Sequence, residues 1–308
     1  MTYQFLTDEQ VEHFLKRGFV TIPNCFSREA AQDWLDKVWV RLGYDANDPT
    51  TWVEKRIHMP SLEHVDVQDF APQAWGAACE LLGGEERVKQ PYKWGDSFIA
   101  NLGIGADRPW EPPSAEVKGW HKDGDFFRHF LDSPEQGLLT LVLWSDIEPQ
   151  GGGTFVACDS VPVVAQRLLQ SPEGLLPGEF DFREMIGQCH DFAETTGKLG
   201  DVVLLHPYIL HTVSQNHRGT ARFITNPPIT LKEPMNFNRA DASEFSLVEQ
   251  AVLRGLGVER LDYKPTGERE RVVPQRVLKQ QKIVMEEQAR LAAAGLGAGG
   301  LTADGLTN

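Results

Sequence analysis

The chain has 308 residues, 41% apolar and 24% charged, with a formal net charge of −14; this is an ordinary globular composition, with length for one large core or two modest ones. So acidic a surface repels nucleic acid and anionic membranes, which excludes both as expected partners and leaves a small-molecule substrate. Cys25, Cys79, Cys158 and Cys189 are scattered without a CxxC pair, which excludes a zinc ribbon; with no signal peptide and no membrane-length apolar run, a cytoplasmic location is expected.

Thr7 and Gln10 form a capping-box pattern ahead of Val11, Phe14 and Leu15, so a first helix is predicted, ended by Gly18. Residues 19–22 read as a short strand closed by Pro23. Ser27 caps a second helix, where Ala31, Trp34, Leu35, Val38 and Trp39 form a core-facing stripe. Residues 45–70, with Pro49 and Pro60, are expected to be loop-rich, and residues 72–82 to be a third helix ended by Gly83 and Gly84. From about residue 96 short β-type runs alternate with turn residues: 97–102, 116–121, 138–147, 154–156, 202–205, 212–214 and 221–225, with an inserted helix at 162–170. Short strands with Gly, Pro and Asn punctuation suggest a sandwich or barrel. Helices are predicted again at 243–255 and roughly 275–294. The expected fold is mainly β with flanking helices (α+β), one domain over residues 1–291: a helical N-terminal region at 1–95, a β core at 96–230 and C-terminal helices at 231–291. The Gly- and Ala-rich residues 292–308 are expected to be a disordered tail.

The informative stretch is Gly119-Trp120-His121-Lys122-Asp123-Gly124. In a strand, residues two apart share a face, so His121 and Asp123 can aim together into a barrel. An imidazole nitrogen and a carboxylate oxygen suit iron(II), and a second His from a distant strand completes a facial triad with open positions opposite. His211, at the end of a buried strand before a polar turn, is the best donor. A hairpin through residues 216–219 is expected to bring Arg222 back beside His211, deeper than the metal. There its guanidinium can grip a carboxylate in bidentate fashion. The competing readings are a surface ion pair for His121 and Asp123 and a surface charge for Arg222. Gly151 to Gly153 lacks the lysine and following helix of a phosphate loop and reads as a turn. Trp94, Trp110, Phe126 and Phe127 are open between an aromatic pocket and core packing. His129, His190 and His217 read as surface histidines or groups behind the ligands.

Together these features resemble the phytanoyl-CoA dioxygenase family of Fe(II)/2-oxoglutarate-dependent oxygenases over roughly residues 5–230. The shared marks are the N-terminal helix entering Gly18-Phe19-Val20, the His121-x-Asp123 pair, the glycine loop before Thr154, and His211 followed eleven residues later by Arg222. That spacing favours His211 over His206, which reads as a satisfied strand-end His. The resemblance implies a double-stranded β-helix (jelly roll, cupin-like) core, iron on His121, Asp123 and His211, and Arg222 on the distal carboxylate of 2-oxoglutarate. It also implies co-substrate contacts from Trp144 and Thr154, and hydroxylation of an unactivated C–H by O2 with release of succinate and CO2. The carboxylate of Asp123 sets the chain apart from halogenating relatives, which have a small residue there. Gly119 stands where relatives often have Gln, and Val213 where some have Ser. The insertion 125–134 is expected to line the substrate pocket. A CoA thioester would use Lys89, Lys93, Lys118 or Arg128, which the net charge disfavours. Two alternatives remain open at this point: a zinc or manganese hydrolase or isomerase on the same barrel, and a non-enzymatic ligand-binding member.

Overall fold

The structure is a computed structural model that describes residues 3–296. Helix α1 (Asp8–Arg17) starts as its capping box dictates: the Thr7 side chain accepts from the Gln10 amide, and the Gln10 side chain from the Thr7 amide. Gly18, at φ +73°, turns the chain into strand β1 (Phe19–Ile22). Helix α2 (Arg28–Leu42) buries Ala31, Trp34 and Val38, the stripe its spacing predicts. The next segment departs from expectation. Residues 45–70 hold strands β2 (Arg56–His58) and β3 (His64–Asp66) and the short helix α3 (Val67–Phe70). Three-residue strands are too short to show an alternation, and these two take their order from their partners. Helix α4 (Pro72–Leu82) has the expected bounds; strands β4 (Lys93–Gly95) and β5 (Ile99–Asn101) follow.

The remaining elements are β6 (Leu138–Leu143), β7 (Thr154–Ala157), α5 (Ser160–Leu169), α6 (Phe182–Ile186), β8 (Phe192–Thr195), β9 (Val202–Leu205), β10 (Leu210–Val213), β11 (Arg222–Thr225), β12 (Pro228–Ile229), α7 (Leu247–Leu256) and α8 (Gln275–Ala293). They build two antiparallel sheets. The larger runs β1-β9-β6-β11-β5-β2, with β12 beside β6; the smaller runs β10-β7-β8 and gains one bridge, His121 to His211. Strand β3 pairs with β4 apart from both.

Alternation along the large sheet sorts its side chains into two cores. Leu139, Leu141 and Leu143 of β6 face inward with Val203, Leu205, Ile224 and Val156, filling the space between the sheets. Leu138, Val142, Val202, Leu204 and Phe223 face outward, under the helices. Strand β6 is buried at every position because both faces are covered; each such leucine contributes about 1.5–3 kcal/mol. Two facing antiparallel sheets with helices on the outside of one are the expected jelly roll with flanking helices.

Several boundaries differ from the sequence reading. Residues 116–121 form no strand; only His121 bridges. The 138–147 strand ends at Leu143, while β8 and α6 have no counterpart among the predicted elements. Helix α8 runs to Ala293, into the stretch expected to be a tail; the rest of that expectation, from residue 297, lies outside the described residues. No helix among the described residues is long and apolar enough to cross a membrane.

Candidate functional site

His121 and His211 face each other across a one-bridge ladder: the His121 amide donates to the His211 carbonyl at 3.0 Å, and the return bond is 2.9 Å. Each imidazole Nδ1 donates to a carbonyl two residues earlier, Gly119 O at 2.8 Å and Ile209 O at 3.2 Å. Those bonds fix the tautomer and leave both Nε2 lone pairs turned to one point. Asp123 Oδ1 lies 3.4 Å from each Nε2, and its Oδ2 accepts from Asn226 Nδ2 at 2.9 Å. The three ligand atoms sit within 4.8 Å of one another. Two imidazole nitrogens and one carboxylate oxygen on one side of a point are the donor set of a facial triad. Burial pushes the Asp123 carboxyl up, but His211 and His121 outweigh it and hold it well below the usual carboxylate range. The shared face does not come from a strand. Positive φ at Gly119 (+88°) and Gly124 (+117°) bends the backbone on either side so that both side chains converge.

Arg222 sits on β11, opposite Asn101 of β5 and on the inward face shared with Ile224. It is 2% exposed. Its Nε donates to Gly152 O at 2.6 Å and its Nη1 to Ile99 O at 3.1 Å. Among the described residues no carboxylate pairs with it. Burial, then the nearby Arg56 cation, pulls Arg222 down to about 9, so it stays charged at neutral pH. The expected hairpin is absent: β10 belongs to the small sheet and β11 to the large one, so Arg222 enters the sandwich from the sheet opposite the one that carries His211. The glycine loop explains itself here. A Cβ on Gly152 (φ +83°) would lie 2.6 Å from Asn101 Nδ2, and one on Gly153 would lie 2.3 Å from the Thr195 carbonyl. The loop is a close approach that presents one carbonyl to Arg222, as a turn and not a phosphate cradle.

The two weaker co-substrate candidates separate. Thr154 is buried on β7, two residues before inward-facing Val156 and in register with Val213, so it lies on the face that holds His211. Trp144 is a correction. It follows inward-facing Leu143, so alternation turns it out of the sandwich; its Nε1 donates to Thr225 Oγ1 at 3.0 Å, and it packs on Phe26 and Trp34 at 4.8 and 4.9 Å. It belongs to the helix-side core, on the face of the large sheet away from Arg222.

Other candidates resolve into support. Lys122, between the two ligands in sequence, is buried and donates to Asp123 O at 3.0 Å and to His129 Nδ1 at 2.9 Å. Burial pulls Lys122 down to about 7 and His129 to about 2. His129 Nε2 donates to Gly124 O at 2.7 Å. The 125–134 insertion therefore buries Phe127, His129 and Phe130 behind the ligands and does not serve as pocket lining at those positions. Arg128 pairs with Glu270. His206 is satisfied as expected, donating to Val248 O at 3.2 Å and accepting from the Tyr208 amide at 3.1 Å. Trp94 is core; Trp110 packs edge-on against Phe155 and His217 at 5.7 Å. Sequence reasoning missed Asn101, whose Nδ2 ties the large sheet to Ser214 O at 3.1 Å. It also missed Asn226 and Arg56. Asn226 follows β11 in a Thr-Asn-Pro run that carries no signal of its role.

No protein-family model matches the chain, and a search of curated proteins found no match. Among solved structures it is similar to the non-heme alpha ketoglutarate dependent carbocyclase SnoK from nogalamycin biosynthesis (17% identity, TM-score 0.44, 73% of this chain and 84% of that one). It is also similar to HygX from Streptomyces hygroscopicus, solved with nickel and 2-oxoglutarate bound (17%, 0.37, 72% and 85%). A third is the hypothetical protein JW0805 from Escherichia coli (15%, 0.45, 82% and 82%). The chain's own side chains place a His-Asp-His cluster and a buried guanidinium inside one sandwich, and among the described residues no carboxylate pairs with that guanidinium.

Proposed function

We propose that the protein is an iron(II)- and 2-oxoglutarate-dependent oxygenase of the phytanoyl-CoA dioxygenase type, hydroxylating an unactivated C–H of a small organic molecule. Residues 1–291 are read as its one domain, and its four unpaired thiols suit the cytoplasm. The observation that carries the reading is Arg222. A buried guanidinium without an anion is costly, so its retention opposite a metal-binding triad implies a ligand that supplies the anion. A dicarboxylate meets both ends, with one end on the metal and the other on the Arg222 fork.

When bound, iron(II) and 2-oxoglutarate supply the oxidising chemistry, with succinate and CO2 as by-products. The chain's own residues do the rest. His121, Asp123 and His211 would hold the metal, and the carbonyls of Gly119 and Ile209 keep the imidazoles in the tautomer that could ligate it. Asn226 orients the carboxylate. Gly152 and Ile99 aim Arg222, and Thr154 stands on the facing strand. Because a carboxylate fills the third place, the triad leaves no protein-ligand gap for a halide, which favours hydroxylation over halogenation. A zinc or manganese hydrolase on the same three ligands leaves Arg222 without a role.

The test is product formation. Protein loaded with iron(II) and 2-oxoglutarate under nitrogen, with ascorbate as the two-electron donor in place of substrate, is expected to release succinate and CO2 only after oxygen is admitted, and His121→Ala and Arg222→Gln are expected to lose it. Oxygen-independent turnover with zinc or manganese, unchanged by Arg222→Gln, contradicts the proposal.

A further inference from the structure

Strand β2 brings a second arginine to the site. Arg56 stands opposite Asn101, and Asn101 stands opposite Arg222. Residues directly opposite in a ladder point to the same face. Arg56, Asn101 and Arg222 thus form one row on the inner face of the large sheet. Neighbouring strands are about 4.8 Å apart, which sets the two arginine backbones about 10 Å apart. Strand β2 is the edge of that sheet, so Arg222 lies at the buried end of the row and Arg56 at its exposed end, on the rim.

The Arg56 charge is felt in the site. Burial and then Arg56 pull Arg222 down, and Asp123 opposes the burial that pulls Arg56 down. Among the described residues Arg56 has no salt bridge and no side-chain hydrogen bond, in a chain with 44 acidic against 30 basic residues. Two like charges share one inner face, and among the described residues no carboxylate is in salt-bridge contact with either. 2-Oxoglutarate accounts for one of them, since its second carboxylate goes to the metal.

We propose that Arg56 is the substrate's anchor, and that the substrate is a small molecule bearing a carboxylate. This rests on the reading of Arg222 as the co-substrate's partner. A single guanidinium fork matches a carboxylate, and the net charge of −14 disfavours a polyanion such as a CoA thioester. Gripped at the rim, the anionic end of the substrate fixes which of its carbons lies over the triad, so Arg56 determines specificity and leaves metal binding to the triad.

The experiment uses the full chain loaded with cobalt(II), which is inert to oxygen chemistry here, and saturating 2-oxoglutarate. The probes are benzoate and its neutral counterpart benzamide, followed by paramagnetic relaxation of their proton signals; 2-oxoglutarate binding is followed by calorimetry. Benzoate is expected to bind near the metal and benzamide at least about tenfold more weakly. Arg56→Gln is expected to weaken benzoate at least about tenfold while 2-oxoglutarate affinity stays within about twofold, and Arg56→Lys to restore some of the loss. Equal relaxation of the two probes, no benzoate binding, or benzoate unaffected by Arg56→Gln overturns the proposal. So does an equal loss of benzoate and 2-oxoglutarate affinity in that variant, which makes Arg56 a co-substrate residue. No 2-oxoglutarate heat with the wild type removes the oxygenase reading and this inference with it; normal 2-oxoglutarate heat without a benzoate preference removes this inference alone.

Discussion

Arg222 has five N–H donors, and two of them are spent on the carbonyls of Gly152 and Ile99. The proposed function assigns the other three to the co-substrate's carboxylate. Truncating one partner of a buried charged pair costs about 2–5 kcal/mol, so Arg222→Gln is expected to weaken 2-oxoglutarate at least about thirtyfold while metal affinity holds. Calorimetry with each ligand separates the two; equal losses of both contradict the assigned role. His206 bears independently on acid stability. Its Nε2–H donates to Val248 O, and burial pulls its pKa from 6.5 to about 3. The unfolded chain takes up that proton near pH 6.5, whereas the folded chain resists it down to about pH 3. Stability is therefore full above the higher value and falls as the pH drops through that window. At about 1.4 kcal/mol per unit, His206 is expected to account for about 2 kcal/mol lost between pH 6.5 and 5. Urea melts of the wild type and His206→Gln at pH 7 and pH 5 check this: the variant is expected to lose less, and equal losses contradict it.

At the scale of elements, the glycine loop between β6 and β7 positions Arg222. A methyl on Gly153 meets the Thr195 carbonyl, which is backbone and cannot turn away; Gly153→Ala is expected to cost about 1–3 kcal/mol, read by denaturant melts. Gly152→Ala meets only the Asn101 side chain but demands a left-handed residue. It is expected to shift the carbonyl under Arg222 and weaken 2-oxoglutarate more than it weakens the metal; an unchanged 2-oxoglutarate affinity removes the loop from the site. Much of this is legible in the sequence. The capping box of α1 and the bounds of α4 follow from local patterns that the fold leaves intact, and His121, Asp123 and His211 do cluster, although glycine bends and not a strand bring the first two together. What escapes the sequence is non-local. Val117 and Trp120 suggest a strand where only His121 finds a partner. The loop from β10 looks like a hairpin turn, but Asn216 Nδ2 binds the Asn101 and Thr220 carbonyls and carries the chain across to the other sheet. Trp144 gains its co-substrate role from resemblance alone, and counting alternation from Leu143 reverses it. Strand β2, and Arg56 with it, is invisible because three residues show no period.

At the scale of the molecule, helix α8 is fastened to α2 by a buried trio and by Arg290 Nε donating to the Arg41 carbonyl at 2.8 Å. Arg41 of α2, 1% exposed, bonds Asp96 at 2.7 Å and Glu287 of α8 at 2.8 Å. Arg41→Leu takes the guanidinium from buried Glu287, while Asp96 keeps the Leu62 and Glu63 amides; a loss of about 3–5 kcal/mol is expected in denaturant melts. A loss under about 1 kcal/mol shows that α8 can move aside and hydrate Glu287. Binding of metal and co-substrate adds stability of the opposite sign: ligand at 100 times its dissociation constant contributes about 2.7 kcal/mol, visible as a rise in Tm. The most direct measurement is an anaerobic titration of 2-oxoglutarate into the iron(II)-loaded full chain, followed by its visible charge-transfer absorption. One equivalent is expected to give the band in the wild type, none in His121→Ala, and Arg222→Gln is expected to need far more 2-oxoglutarate to reach it. A wild type that holds iron(II) yet gives no band, or an Arg222→Gln protein that titrates like the wild type, contradicts the assignment of these four side chains.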